Sequence, residues 1–207
     1  MIYKKAWKYI LTRDDSEGCM KFNFYRIKSL KDFSSISKGD LGGYLEGYHN
    51  LSQSGNCWVY NDAVISDSAQ VAENATIFGC ATVKDYAKVS GNAVIYEKSK
   101  VFGCARVYNN AQVYGYAYVF ELTQIYENAR ISGKTMVYGR TKISGHAHVY
   151  GNAHVTGNAE VYGNTSVYGC AKVCENAQVF GNAKVSGSAL VAGYTIVSED
   201  ARVSKKG

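Results

Sequence analysis

From Val59 onward, every sixth residue of the chain is valine or isoleucine. The series runs Val59, Ile65, Val71, Ile77, Val83 and on to Val203, 25 positions in register, 19 Val and 6 Ile. Two residues before each anchor stands a small side chain, alanine in 18 cases and otherwise Thr, Ser or Cys. Two residues after it comes glycine in 14 cases, and three after it asparagine in nine. The consensus A-x-V-Y-G-N has a direct physical meaning. Strand side chains alternate, so the small residue and the aliphatic two later share the inner side while their neighbours face out. β-Branched anchors suit a strand, and Gly-Asn suits a turn because both tolerate positive φ. A corner every six residues leaves strands too short for stable hairpins. It permits a coil whose straight segments stack in parallel on those of the next coil.

Composition supports a backbone committed to such ladders. The 207 residues contain no proline, with 46% hydrophobic and 19% charged residues, and with 18 tyrosines beside 21 glycines. A proline would remove a ladder donor wherever it fell. Net charge is +6, of which +3 comes from residues 1–58 (nine basic, six acidic). That balance is too diffuse to demand nucleic acid, which stays a weakly supported partner. The six cysteines, Cys19, Cys57, Cys80, Cys104, Cys170 and Cys174, form no CxxC pair and no zinc-ligand spacing. They read as reduced thiols of a cytoplasmic protein. The lysine-broken N-terminus reads as neither signal peptide nor membrane span, so no membrane partner is expected.

The A-x-V-Y-G-N hexads over residues 59–207 resemble those of the hexapeptide-repeat proteins. That resemblance implies a left-handed parallel β-helix of about eight triangular coils, about 40 Å long at the usual strand spacing. Residues 1–58 read as a strand-rich cap and irregular entry coil. "AWKYILT" and "KFNFYRI" suit strands, with "RDDSEGCM" as the loop between them. Trp7, Tyr9, Phe22, Phe24 and Phe33 are the apolar side chains available to cover the first coil. Leu45 and Leu51 are six apart, but two extra residues separate that register from Val59. At the other end Arg202, Lys205 and Lys206 oppose end-to-end growth by charge. With "KGDLGGYLE" and "NLSQSGNCWVY" ahead of the hexads, the whole chain is similar to uncharacterised bacterial and phage β-helix proteins of the YdcK type. Some of these carry an acyltransferase label.

An 18-residue coil sorts the outward positions onto three faces. On the first, Trp58, Tyr60, Phe78, Tyr96, Tyr114, Tyr150 and Tyr168 form a near-continuous aromatic column and the candidate binding surface. Such a strip is uncommon on a monomer, although aromatic pairs also stabilise neighbouring strands. The second face is mixed, with Lys100, Phe102, Tyr118, Phe120, Met136, Tyr138 and His154. The third is the most polar, with Gln70, Lys88, Arg106, Gln124 and Lys142 beside Tyr108, Tyr126 and Tyr162.

Catalytic motifs are missing: there is no G-x-x-x-x-G-K-[ST], H-E-x-x-H or G-x-S-x-G. The resemblance implies acyltransferases that place a histidine base at a trimer interface, with a projecting loop and acyl-CoA. This chain has no insertion across its hexads, so His148 and His154 are catalytic candidates only under that alternative. His148 and His154 face outward one hexad apart and His146 lies at a corner. They diverge, and no metal site is expected from one chain. The leading reading is a non-enzymatic, rigid binding scaffold without cofactors, of the phage type that the resemblance implies. Its partners would be further copies of itself, a trimer first, and a host protein second. A third reading is capture of a small anionic ligand such as a nucleotide between subunits.

Overall fold

The computed structural model describes residues 7–13 and 23–205. The expectations for Cys19, Phe22, Lys206 and most of "RDDSEGCM" lie outside the described residues. The described chain is all strand and turn. Three strands, β1 (Tyr9–Thr12), β2 (Tyr25–Ser29) and β3 (Leu41–Leu45), precede the repeat. Twenty-five more follow, from β4 (Trp58–Val59) to β28 (Arg202–Lys205), each ending on or containing one aliphatic anchor. Each of β4 to β25 pairs in parallel with the strand 18 residues on, as Val94↔Gln112 and Ile95↔Val113 do. The result is a parallel β-solenoid of three sheets with nine, eleven and eight strands. These are the first, second and third faces of the sequence register. The turn count is about nine rather than eight. Tyr44 and Leu45 pair with Val64 and Ile65, and Leu51 bridges to Val71, so an entry turn lies under the hexads.

The interior is a column of small residues and anchors. Anchors Val59 to Val185 and nearly every alanine before them are buried essentially completely. Outward residues hold the coils together through their backbone: Tyr60 N–H donates to Ile77 O at 2.8 Å, and Tyr96 N–H to Val113 O at 3.0 Å. Corners carry the conformational cost. The hexad position two after the anchor has positive φ from Asn61 to Glu199, at 14 glycines and at ten Asn, Asp or Glu residues. A non-glycine residue there is strained by ~1–2 kcal/mol. The acids offset that strain one coil along. Glu73, Glu127 and Glu175 accept the N–H of Gly91, Gly145 and Gly193 at 2.6, 2.6 and 2.8 Å, and Asp85 accepts that of Gly103 at 2.9 Å. Charge-assisted bonds of this kind are stronger than neutral ones.

The N-terminal segment closes the first turn. β1 pairs antiparallel with β2 and β2 with β3, so the hairpin extends the second face's sheet. Tyr9 is buried and its hydroxyl donates to Leu51 O at 2.7 Å. In later coils the carbonyl two before the anchor accepts an N–H from the coil before it, as Ala75 O accepts from Trp58. Cys57 stands in the first turn, where no earlier hexad supplies that donor. Lys8, itself buried, supplies one instead: its Nζ donates to Cys57 O at 2.9 Å and lies 3.2 Å from Cys57 Sγ. Burial lowers the Lys8 pKa and raises that of Cys57.

Candidate interaction faces

The position after each anchor faces outward, and stacking in register brings like side chains to one coil spacing. On the first face Phe78 and Tyr96 stack at 4.9 Å and 8°, and Tyr96 and Tyr114 at 4.7 Å and 6°. Tyr150 and Tyr168 stack at 5.0 Å and 6°. The rings cover one another's faces and present edges to solvent. Only a ring at the end of a run has a free face.

One member of this column differs from the sequence expectation. Trp58 stands on the first face by register but is buried, only 1% exposed. Phe33 packs on it edge-on at 5.5 Å and Tyr9 at 6.3 Å, so the cap claims it and it offers no binding surface. Tyr60 is partly covered as well, its hydroxyl 3.4 Å from Ser35 Oγ. The gap in the column, as the register places it, is Ser132. There His148 leans in from the adjoining column, its Nε2 3.1 Å from Ser132 Oγ and its ring 4.4 Å from Tyr150. Burial, then Arg130, lowers the pKa of His148.

That shift has a sign. The unfolded chain binds the His148 proton more tightly than the folded one, so stability falls as pH drops from about 6.5 toward the lower folded value. Urea midpoints between pH 7.5 and 5 are expected to show this fall, and His148→Gln is expected to flatten it. A mutant curve parallel to wild type would remove His148 as its source.

The remaining histidines are apart from it. His154 lies on the second face between Met136 and Lys172. His146 interrupts a corner ladder in which Asn74, Asn92, Asn110 and Asn128 bond side chain to side chain at 3.1–3.2 Å. His49 Nε2 sits 2.6 Å from Asp67 O. Among the described residues no group of three His, Cys, Asp or Glu side chains is placed to hold a metal ion.

Stacked aromatic runs occur on all three faces, at residues the register places on each. Phe102, Phe120 and Tyr138 stack at 4.8 and 4.9 Å on the second face. Tyr108 and Tyr126 stack at 5.2 Å on the third, and Tyr162 and Phe180 at 5.0 Å. The signal was present in the sequence as the residue following each anchor. The second face adds cations over its rings, Lys84 above Phe102 and Lys100 above Tyr118, at 5.5 and 5.4 Å. Among the described residues no helix is long and apolar enough to cross a membrane.

Fold and faces together define a parallel β-solenoid with aromatic-laddered sides. The chain matches no protein-family model and no curated protein.

Proposed function

We infer that the chain is a non-enzymatic, rigid β-helical scaffold that binds through its prism faces, with further copies of itself as the first partner. One observation carries this reading: the 25 repeat strands follow one another without a projecting loop, so the faces themselves are the surfaces on offer. The first face presents Phe78, Tyr96, Tyr114, Tyr150 and Tyr168 as a strip of ring edges, and tyrosine is enriched in interface cores. The resemblance of the hexads to hexapeptide-repeat proteins supports a trimer packed along this face. A host macromolecule, in a phage setting, is the second partner class.

Solution mass is expected to be three times the 22.6 kDa of one chain. The triple variant Tyr96→Ser, Tyr114→Ser, Tyr150→Ser is expected to be monomeric with its β-solenoid circular dichroism retained. A monomeric wild type, or a variant of unchanged mass, overturns self-association through the first face.

Acyl transfer with His148 as base is a second reading, favoured by its half-buried imidazole and lowered pKa. Acetyl-CoA turnover that disappears in His148→Gln would replace the scaffold reading.

A further inference from the structure

The third face holds a groove that the oligomer reading does not use. A cavity of about 430 Å³ borders the cap, whereas this one, of about 330 Å³, is lined by Lys88, Ser90, Arg106, Tyr108 and Gln124. Its construction follows from the register. Lys88, Arg106 and Gln124 are successive cross-strand partners in one outward column. Ser90 and Tyr108 are successive rungs of the neighbouring outward column, two residues along each strand. Tyr126 covers one face of the Tyr108 ring at 5.2 Å and 3°. The next rung on the other side is Ser90 and the one after it Ala72, so that ring face looks into the groove.

The charge here is uncompensated. Like charges directly opposite one another on adjacent strands destabilise a sheet, yet Arg106 and Lys88 are paired in this way. Among the described residues neither has a carboxylate partner at salt-bridge distance, whereas Lys142, farther along the column, bonds Glu160 at 3.0 Å. The acids at the flanking corners are turned elsewhere: Glu73 holds Gly91 N–H and Asp85 holds Gly103 N–H. Two exposed cations therefore stand beside an aromatic face with a hydroxyl as floor. Side chains two apart on a strand are about 6.6 Å apart, which matches the span between base and 5′-phosphate in a mononucleotide.

We propose that this groove binds a nucleoside 5′-phosphate, its base stacked on the open face of Tyr108 and its phosphate held between Lys88 and Arg106. Arginine's fork suits a phosphate and lysine supplies a point charge. The Ser90 hydroxyl is available to the ribose, and Gln124, whose Oε1 accepts the Tyr108 hydroxyl at 3.5 Å, keeps its amide N–H groups for the base. A single open ring face limits the stack to one base. The site lies within one chain and does not depend on self-association through the first face.

Adenosine 5′-monophosphate is the probe, titrated against the full chain by calorimetry or by chemical-shift changes of the Tyr108 ring. Saturable binding is expected, with adenosine and inorganic phosphate each at least tenfold weaker. Tyr108→Ala is expected to weaken binding about tenfold or more through lost stacking. The double variant Lys88→Gln, Arg106→Gln is expected to do the same, while the charge-matched Lys134→Gln, Lys172→Gln leaves it unchanged. Ser90→Tyr is the most telling change, because it fills the empty rung, preserves the fold's own stacking and closes the ring face. Undetectable AMP binding, phosphate binding as tight as AMP, or full binding by Ser90→Tyr would each overturn the proposal. A short single strand binding far more tightly than AMP would overturn it in favour of a polynucleotide track.

Discussion

Replacing Trp58 with alanine is expected to destabilise the N-terminal turns by about 3–5 kcal/mol. Trp58 is the largest of the fully buried side chains, and the contacts it would lose are those that join cap to solenoid. Phe33 and Tyr9 both pack edge-on against it, and its indole Nε1 has no hydrogen-bond partner, so the loss is one of packing. In a structure where each turn contacts only its neighbours, damage at one end spreads by fraying. Hydrogen exchange is therefore expected to accelerate first at the amides of Val59 and Ile65, with turns beyond Val149 still protected. Opening that end also frees strand edges for intermolecular pairing, so light scattering is expected to rise with concentration. Trp58→Phe is expected to recover part of the stability. An unchanged urea midpoint in the alanine variant would mean that the cap is held by its backbone and by Lys8 alone.

Ile131→Ala is expected to act at the opposite place, the middle of the stack, at about 2–5 kcal/mol. Ile131 is completely buried, with Val113 and Val149 as its partners one turn before and after. Those turns are tied by ladder bonds on both sides, such as Tyr114 N–H to Ile131 O at 2.9 Å and Ser132 N–H to Val149 O at 2.9 Å. The void cannot close without breaking them. Unfolding is expected to split into two transitions, one for each half, seen as a shoulder in the urea curve. A single transition displaced by less than about 1 kcal/mol would show that the turns settle into the space.

The regular part of this molecule could be read from residue spacing, because one six-residue period dictates strand, corner and stacking at once. Val59 and its successors could face nowhere but inward, and His148 and His154 could not share a face. The unread parts are those where the period is interrupted or where a side chain acts across turns. Glutamate at a corner reads as an ordinary surface acid. Its use becomes visible only when Glu73 is set against Gly91, 18 residues on. Lys8 reads as an exposed strand lysine, and nothing local announces that the loop before Cys57 would present carbonyls to it. Trp58 fits the outward column by number, yet segments distant in sequence cover it. The groove beneath Tyr108 is of the same kind: it exists because serine and alanine stand where other coils place aromatic rings.

A stack built from one repeated turn also behaves as a ruler. Excising 18 residues, for example 133–150, would rejoin Ser132 to Gly151 with every later column still on its own face, and would shorten the rod by about 4.8 Å. Excising six would keep the interior continuous but carry every later side chain to the next face, so that tyrosines of one column would continue the lysines and glutamines of another. The length of this protein and the pattern it displays are therefore set by different arithmetic. A lineage could change its reach in single-turn steps while keeping each surface intact.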